Sequence, residues 1–259
     1  MNADRSTASR GAPGRAFWKL LFSEAKLAWR QPIGLIFGLG LPVLLLVIFA
    51  SIPAFKKPNA DLGGSTYLSI YLPILAAFIL ASLALIGLNA PMASYREHGV
   101  LRRMSTTPVP PSWVLAAQLV INLVVAAVAL LLVVVLGVAA FGVQGPKQVP
   151  GFILSILLAT AALFAIGLWV AAISRTSQAA AAIGNILFFP LMFFAGLWIP
   201  RNVMPAVLRG ISDFTPLGAA VQALQSAMQG SFPAARPLLV LVAYAAVFAV
   251  AAVKLFKWE

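Results

Sequence analysis

The sequence predicts an all-α, polytopic membrane protein: an N-terminal amphipathic helix, six membrane-spanning helices, and short re-entrant or surface helices between the fifth and sixth spans. Three observations carry that prediction. Of the 259 residues, 62% are hydrophobic and only 9% charged, whereas a soluble domain carries about 25% charged residues. Mean hydropathy is +0.99, and the apolar residues fall in runs long enough for the roughly 20 that a helix needs to cross a bilayer. Those runs are continuous and rich in Leu, Ala and Val rather than alternating, so helices and not a closed barrel satisfy the backbone inside the membrane.

Taken in order, residues 1–14 are mostly Ser, Ala, Gly, Arg and Pro, and the expectation there is a disordered tail. A single transmembrane domain follows over 15–259. Between 15 and 31, Trp18, Leu21, Phe22, Ala25, Ala28 and Trp29 recur at helical spacing, opposite Lys19, Ser23, Lys26 and Arg30. That is the pattern of a helix lying along a membrane surface. Spans are expected at 33–55, 67–93, 113–142, 151–173, 179–199 and 238–253. Pro42, Pro53 and Pro190 predict kinks within or near the ends of the first and fifth. The stretch 200–237 contains R-N-V-M-P, S-D-F-T-P and F-P-A-A-R-P. It is interrupted too often to span, which predicts short helices lying at or dipping into the outer surface.

Between the second and third spans lies a polar island, residues 94–110, S-Y-R-E-H-G-V-L-R-R-M-S-T-T-P-V-P. It holds three arginines and the single histidine. Composition alone leaves two readings open: a loop whose cations fix orientation, or a docking element for a soluble partner. Six spans put both ends on one side. The face holding both termini, the island and Arg175 carries 12 of the 18 cations and the other face 6, so the former is expected to be cytoplasmic. The net charge of +12 is gathered at span ends, where lipid headgroups attract it, and not in a basic domain for nucleic acid. With no cysteine, one histidine and six acids, no disulfide and no metal site is expected. The N-terminus lacks a short apolar core with a cleavage site, so no signal peptide is expected.

The chemistry the chain offers is sparse. His98 has no nucleophile partner placed to use it, and no G-x-x-x-x-G-K-[ST] loop is present, so no catalytic residue is expected. The spans lack Asp, Glu, Lys and Arg at mid-depth, which argues against proton-coupled exchange and points to apolar or amphipathic cargo. The polar residues within them are Asn89, Gln118, Asn122 and Asn185. In the fifth span Asn185, Phe189, Met192 and Gly196 share a face, with Phe193 beside it and Pro190 kinking the helix. That face is either a substrate-contacting surface or a packing seam of the kind that Ser177, Ala181 and Gly184 favour.

Arg96–Glu97, Gly99, Leu101–Arg103 and Thr107–Pro108 resemble the segment after the second membrane helix of ABC-2 type transporter permeases. The run F-F-P-L-M-F-F-A-G-L-W-I-P-R-N-V-M-P, through Pro190, Ala195–Gly196, Trp198, Pro200 and Pro205, resembles a second such segment, and Thr215–Leu217 fits as well. The resemblance covers most of the chain, and the drug-resistance and antibiotic-export permeases of actinobacteria are the most similar subgroup. It implies the permease subunit of an ABC exporter in a bacterial inner membrane, with cytoplasmic termini and an elbow helix on that surface. It implies a second permease chain, identical or homologous, and two ABC ATPase subunits. Those subunits bind ATP and Mg, so this chain holds no cofactor. By the same resemblance Arg96, Glu97, His98, Gly99, Leu101, Arg102 and Arg103 contact the ATPase; the candidates to face a drug, antibiotic, lipid or glycolipid are Asn185, Phe189, Met192, Phe193 and Gly196 of the fifth-span face. The alternative is a facilitator or channel needing no ATPase. It predicts a non-docking 94–110 loop and a more polar lining. A membrane enzyme needs clustered acids, a metal site or a Ser/His pair, which the sequence does not offer.

Overall fold

The computed structural model describes residues 13–30, 32–59, 64–100, 110 and 112–255. Leu101, Arg102 and Arg103 of the polar island, and nearly all of the expected N-terminal tail, lie outside them. The described chain is helical: α1 (Pro13–Arg30), α2 (Ile33–Ser51), α3 (Tyr67–Glu97), α4 (Ser112–Ala140), α5 (Val149–Ile173), α6 (Ser177–Ala195), α7 (Ala206–Phe214), α8 (Pro216–Gln229) and α9 (Ala235–Leu255). Among the described residues six helices, α2 to α6 and α9, are long and apolar enough to cross a membrane.

Local chemistry sets their ends, and several differ from the spans expected on hydropathy. Helix α2 stops at Ser51, short of residue 55. Ile52 is extended (φ −88°, ψ 114°) because the ring of Pro53 disfavours a helical residue before it. Pro53–Lys56 forms a separate turn. Helix α3 runs through to Glu97, so the first four residues of the island are helical. Gly99, at φ +64°, takes the left-handed conformation that a side chain resists. Helix α6 starts at Ser177, where Thr176 Oγ1 accepts from Ala179 N–H at 3.1 Å. It ends before Gly196 at φ +92°, a glycine cap.

Helix α3 is the centre of the bundle: 89% of its apolar window is buried, against 11% for α9 at the periphery. Its wide turn Leu83–Leu88 meets two glycines. A Cβ on Gly167 of α5 or Gly184 of α6 would fall 2.2 Å from the Ala84 carbonyl oxygen or 2.1 Å from that of Leu85. With no hydrophobic drive between helices in lipid, such close backbone approach supplies the packing. Asn89, fully buried, donates from Nδ2 to the Ala180 carbonyl at 3.0 Å and locks α3 to α6.

The interrupted stretch at the other end behaves as two kinds of helix. Helix α7 stays at the surface, with Val207, Ile211 and Phe214 exposed. Helix α8 inserts among α3, α5, α6 and α9, burying Leu217, Ala220, Val221 and Leu224 completely. Buried Arg201 pairs with Asp213, which also holds Arg236 at 3.2 Å. Arg201 donates besides to Ser212 Oγ at 3.3 Å and the Gly218 carbonyl at 3.4 Å. One carboxylate therefore ties the exit of α6, the α7–α8 turn and the entry of α9.

Candidate functional site

The last turn of α3 lies against the connection between α5 and α6. Arg96 Nη1 donates to the carbonyls of Ala171 (3.1 Å), Ala172 (2.9 Å) and Ser174 (3.4 Å) at the end of α5. The next residue, Glu97, accepts at Oε2 from the Ser177 N–H (2.9 Å) and hydroxyl (2.8 Å) at the start of α6. A cation at a helix C-terminus and an anion at a helix N-terminus are both favoured by the helix dipole and by the backbone groups left open there. Two adjacent residues of opposite charge thus bind two consecutive helix ends of opposite polarity. His98 Nδ1 lies 2.9 Å from the Ser94 carbonyl and Gly99 turns the chain away. These residues were expected to face a partner. Arg96 is half-buried in the chain itself, and Glu97, though exposed, is directed at Ser177.

Beside this staple opens a cavity of about 570 Å³. Ser177, Ala181 and Asn185 of α6 form one wall, and Leu83, Ile86 and Tyr95 of α3 another. Gln118, Ile121 and Asn122 of α4 face them, and Leu27 and Gly34 of the α1–α2 region close the rim. At the polar end, Glu24 of α1 is 8% exposed. Its Oε2 accepts from Tyr95 Oη at 2.5 Å and from Gln118 Nε2 at 2.6 Å. Three helices meet on one carboxylate oxygen.

The expected substrate face of α6 divides. Asn185 lines the cavity. Phe189 is exposed further along the helix, and Phe193 is partly buried. Met192 is fully buried, and Gly196 is buried as the helix cap. Residues four apart drift by about 40° on a 3.6-residue helix, so the buried series Ala180, Gly184, Phe188, Met192 sweeps across the face on which Asn185 begins. The packing seam therefore runs through Ala180, Gly184, Phe188 and Met192, while Asn185 lines the cavity and Phe189 is open. Glu24 and Ile121 were not singled out from sequence. A signal existed for the first: Phe17, Leu20, Glu24 and Leu27 recur at helical spacing. Phe17 meets the Trp113 ring at 5.7 Å, Leu20 packs on the core and Leu27 lines the cavity. Trp18 and Phe22 of the more obvious apolar stripe are 69% and 76% exposed, turned away from the bundle.

Comparison with known proteins agrees with this architecture. A family model described as ABC-2 type transporter matches residues 15–229, from α1 to the end of α8. Over 231 residues the chain is 22% identical to the provisionally named transport permease YvfS of Bacillus subtilis (strain 168), covering 89% of this chain and 92% of that protein. It is 26% identical over 130 residues to the inner membrane transport permease YhhJ of Escherichia coli (strain K12), which covers 50% of this chain and 35% of the relative.

Proposed function

The chain belongs to the ABC-2 type transporter family, as the membrane subunit of a transporter powered by ATPase partners, and on that premise we propose that it exports hydrophobic or amphipathic cargo. Two copies of this chain, or this chain and a homologue, pair with two ATPase subunits in the bacterial inner membrane, with both termini cytoplasmic. ATP and Mg belong to the ATPases. The domain is single from residue 15 onward, and the 94–110 segment meets the ATPase through Leu101, Arg102 and Arg103.

The observation that carries this reading is the position of the cavity. Its α6 wall begins at Ser177, the residue that Glu97 holds. Movement of the 94–110 segment against an ATPase therefore reaches the cavity wall through two hydrogen bonds, while Arg96 keeps the end of α5 in register. Coupling of this kind requires a physical element that both sites bias, and α6 is that element. In this account Arg96 and Glu97 are positioning residues and not docking residues.

The test is reconstitution of the full chain with the ATPase that co-purifies from host membranes, followed by ATP-dependent efflux of a lipophilic fluorescent dye from vesicles. Ile121→Trp fills the cavity from α4. Loss of efflux with ATPase association retained supports the reading. Efflux at the wild-type rate contradicts it, and efflux without any ATPase favours a facilitator.

A further inference from the structure

The polar end of the cavity has a one-sided chemistry. Tyr95 Oη spends its proton on Glu24, Gln118 Nε2 points at the same carboxylate, and Asn122 Nδ2 donates to the Gln118 carbonyl at 2.9 Å. The amide orientations are forced, because a carboxylate and a carbonyl only accept. What remains on the two amides is acceptors, Gln118 Oε1 and Asn122 Oδ1, both on residues that line the cavity and the second beside Gly87 of its wall, with the buried Glu24 carboxylate behind them. Among the described residues no cation pairs with Glu24; the ion pairs there are both made by Asp213. Among the described residues no lysine or arginine lines the cavity. A buried charge without a partner is costly, and a ligand of opposite charge relieves that cost. Leu83, Ile86, Ile121 and Val125 make the apolar part of the wall, and Ser94, Ser177 and Asn185 add neutral polar groups to it. The volume, about 570 Å³, is that of a site for a drug-sized molecule.

We propose that this end of the cavity binds the protonated amine of an amphipathic organic cation, with the apolar body of the ligand against α3 and α4. The proposal rests on the reading of the cavity as the cargo site. The ammonium donates to Gln118 Oε1 and Asn122 Oδ1 and lies within the field of Glu24, which acts as the charge that selects it. The elbow helix thereby becomes part of the specificity of the site.

The experiment uses the full chain in phosphatidylcholine nanodiscs and two matched probes, 1-pyrenemethylamine, protonated at neutral pH, and uncharged 1-pyrenemethanol. Binding is read as energy transfer from the chain's tryptophans. The wild type binds the amine about tenfold more tightly than the alcohol, and Glu24→Gln lowers amine affinity about tenfold while leaving the alcohol unchanged. Asn122→Leu, which keeps both bonds to Glu24, also weakens the amine selectively, and Glu24→Asp retains part of the preference. Equal binding of the two probes by the wild type overturns the cation preference, as does wild-type amine binding by Glu24→Gln. If Ile121→Trp abolishes binding of both probes while the two remain equal, the cargo site stands and only the charge selection falls. If neither probe binds, or Ile121→Trp changes nothing, the cargo site falls as well.

Discussion

At the end of the bundle that carries residues 200–234, one polar network is closed off within the chain. Asp213 is shared by Arg201 and Arg236, Ser212 Oγ donates to the Phe194 carbonyl at 2.6 Å, and α8 fills the space between α3, α5, α6 and α9. Phe49, Phe55, Tyr67 and Tyr71 stack together where α2 meets α3 on the same side. At the end that carries residues 94–100, acceptors are left open around a cavity, and the charged residues bind helix ends instead of each other. The difference teaches where movement is possible. The first end resists separation, because Asp213, Arg201, Arg236 and Ser212 each have a partner to lose. The second has room to change volume, and its helix termini are held by bonds that exchange with water.

Substitutions divide along the same line. The largest expected loss of stability is at the closed end. Asp213→Ala leaves Arg201 buried without its carboxylate and costs about 3 kcal/mol, read as a lowered midpoint in thermal unfolding of the detergent-solubilised chain. Gly218→Ala comes next. A Cβ there would fall 2.0 Å from the Ser212 carbonyl oxygen, and relieving that overlap costs about 2 kcal/mol. Met192→Trp overpacks a fully buried position and costs a similar amount, about 2 kcal/mol. It is expected to lower stability and not merely to block passage. At the open end, Glu97→Ala removes the two bonds to Ser177 and costs about 1 kcal/mol, the scale of a lost helix cap. The smallest effect on stability is that of Ile121→Trp, below about 0.5 kcal/mol because the ring enters open space, yet its effect on transport is among the largest. A closed-end variant that is fully stable but does not transport would break the comparison, and so would an open-end variant that unfolds.

The bundle itself was legible because continuous apolar runs admit few alternatives, and the six spanning helices follow them. Helix ends were less legible because they depend on one or two residues. Pro53 shortens α2, Gly99 lets α3 continue through Glu97, and Thr176 starts α6 at the polar residues that hydropathy assigned to a loop. The site was partly legible. Arg96 and Glu97 drew attention as charges at a membrane face, but no sequence pattern states whether such charges meet a partner or the ends of α5 and α6. Asn185 stood out as a polar group within a span, and the fold sets it at the cavity; Met192 shared its face by spacing and is core by packing. Glu24 escaped notice because an acid on an amphipathic surface helix is ordinarily solvated. Only the fold brings Tyr95 and Gln118 onto it.

The measurement that tests the central claim most directly is cargo exported per ATP hydrolysed by the reconstituted complex, for the wild type and for Glu97→Ala, alongside the amount of ATPase that co-purifies with each. If Glu97 links α3 to α6, the variant assembles with as much ATPase as the wild type and still hydrolyses ATP. Its export per ATP falls on the order of tenfold, as expected for loss of a coupling element. A complex that fails to assemble would make Glu97 a docking residue, and export per ATP at the wild-type value would remove the link from the mechanism; either result contradicts the account.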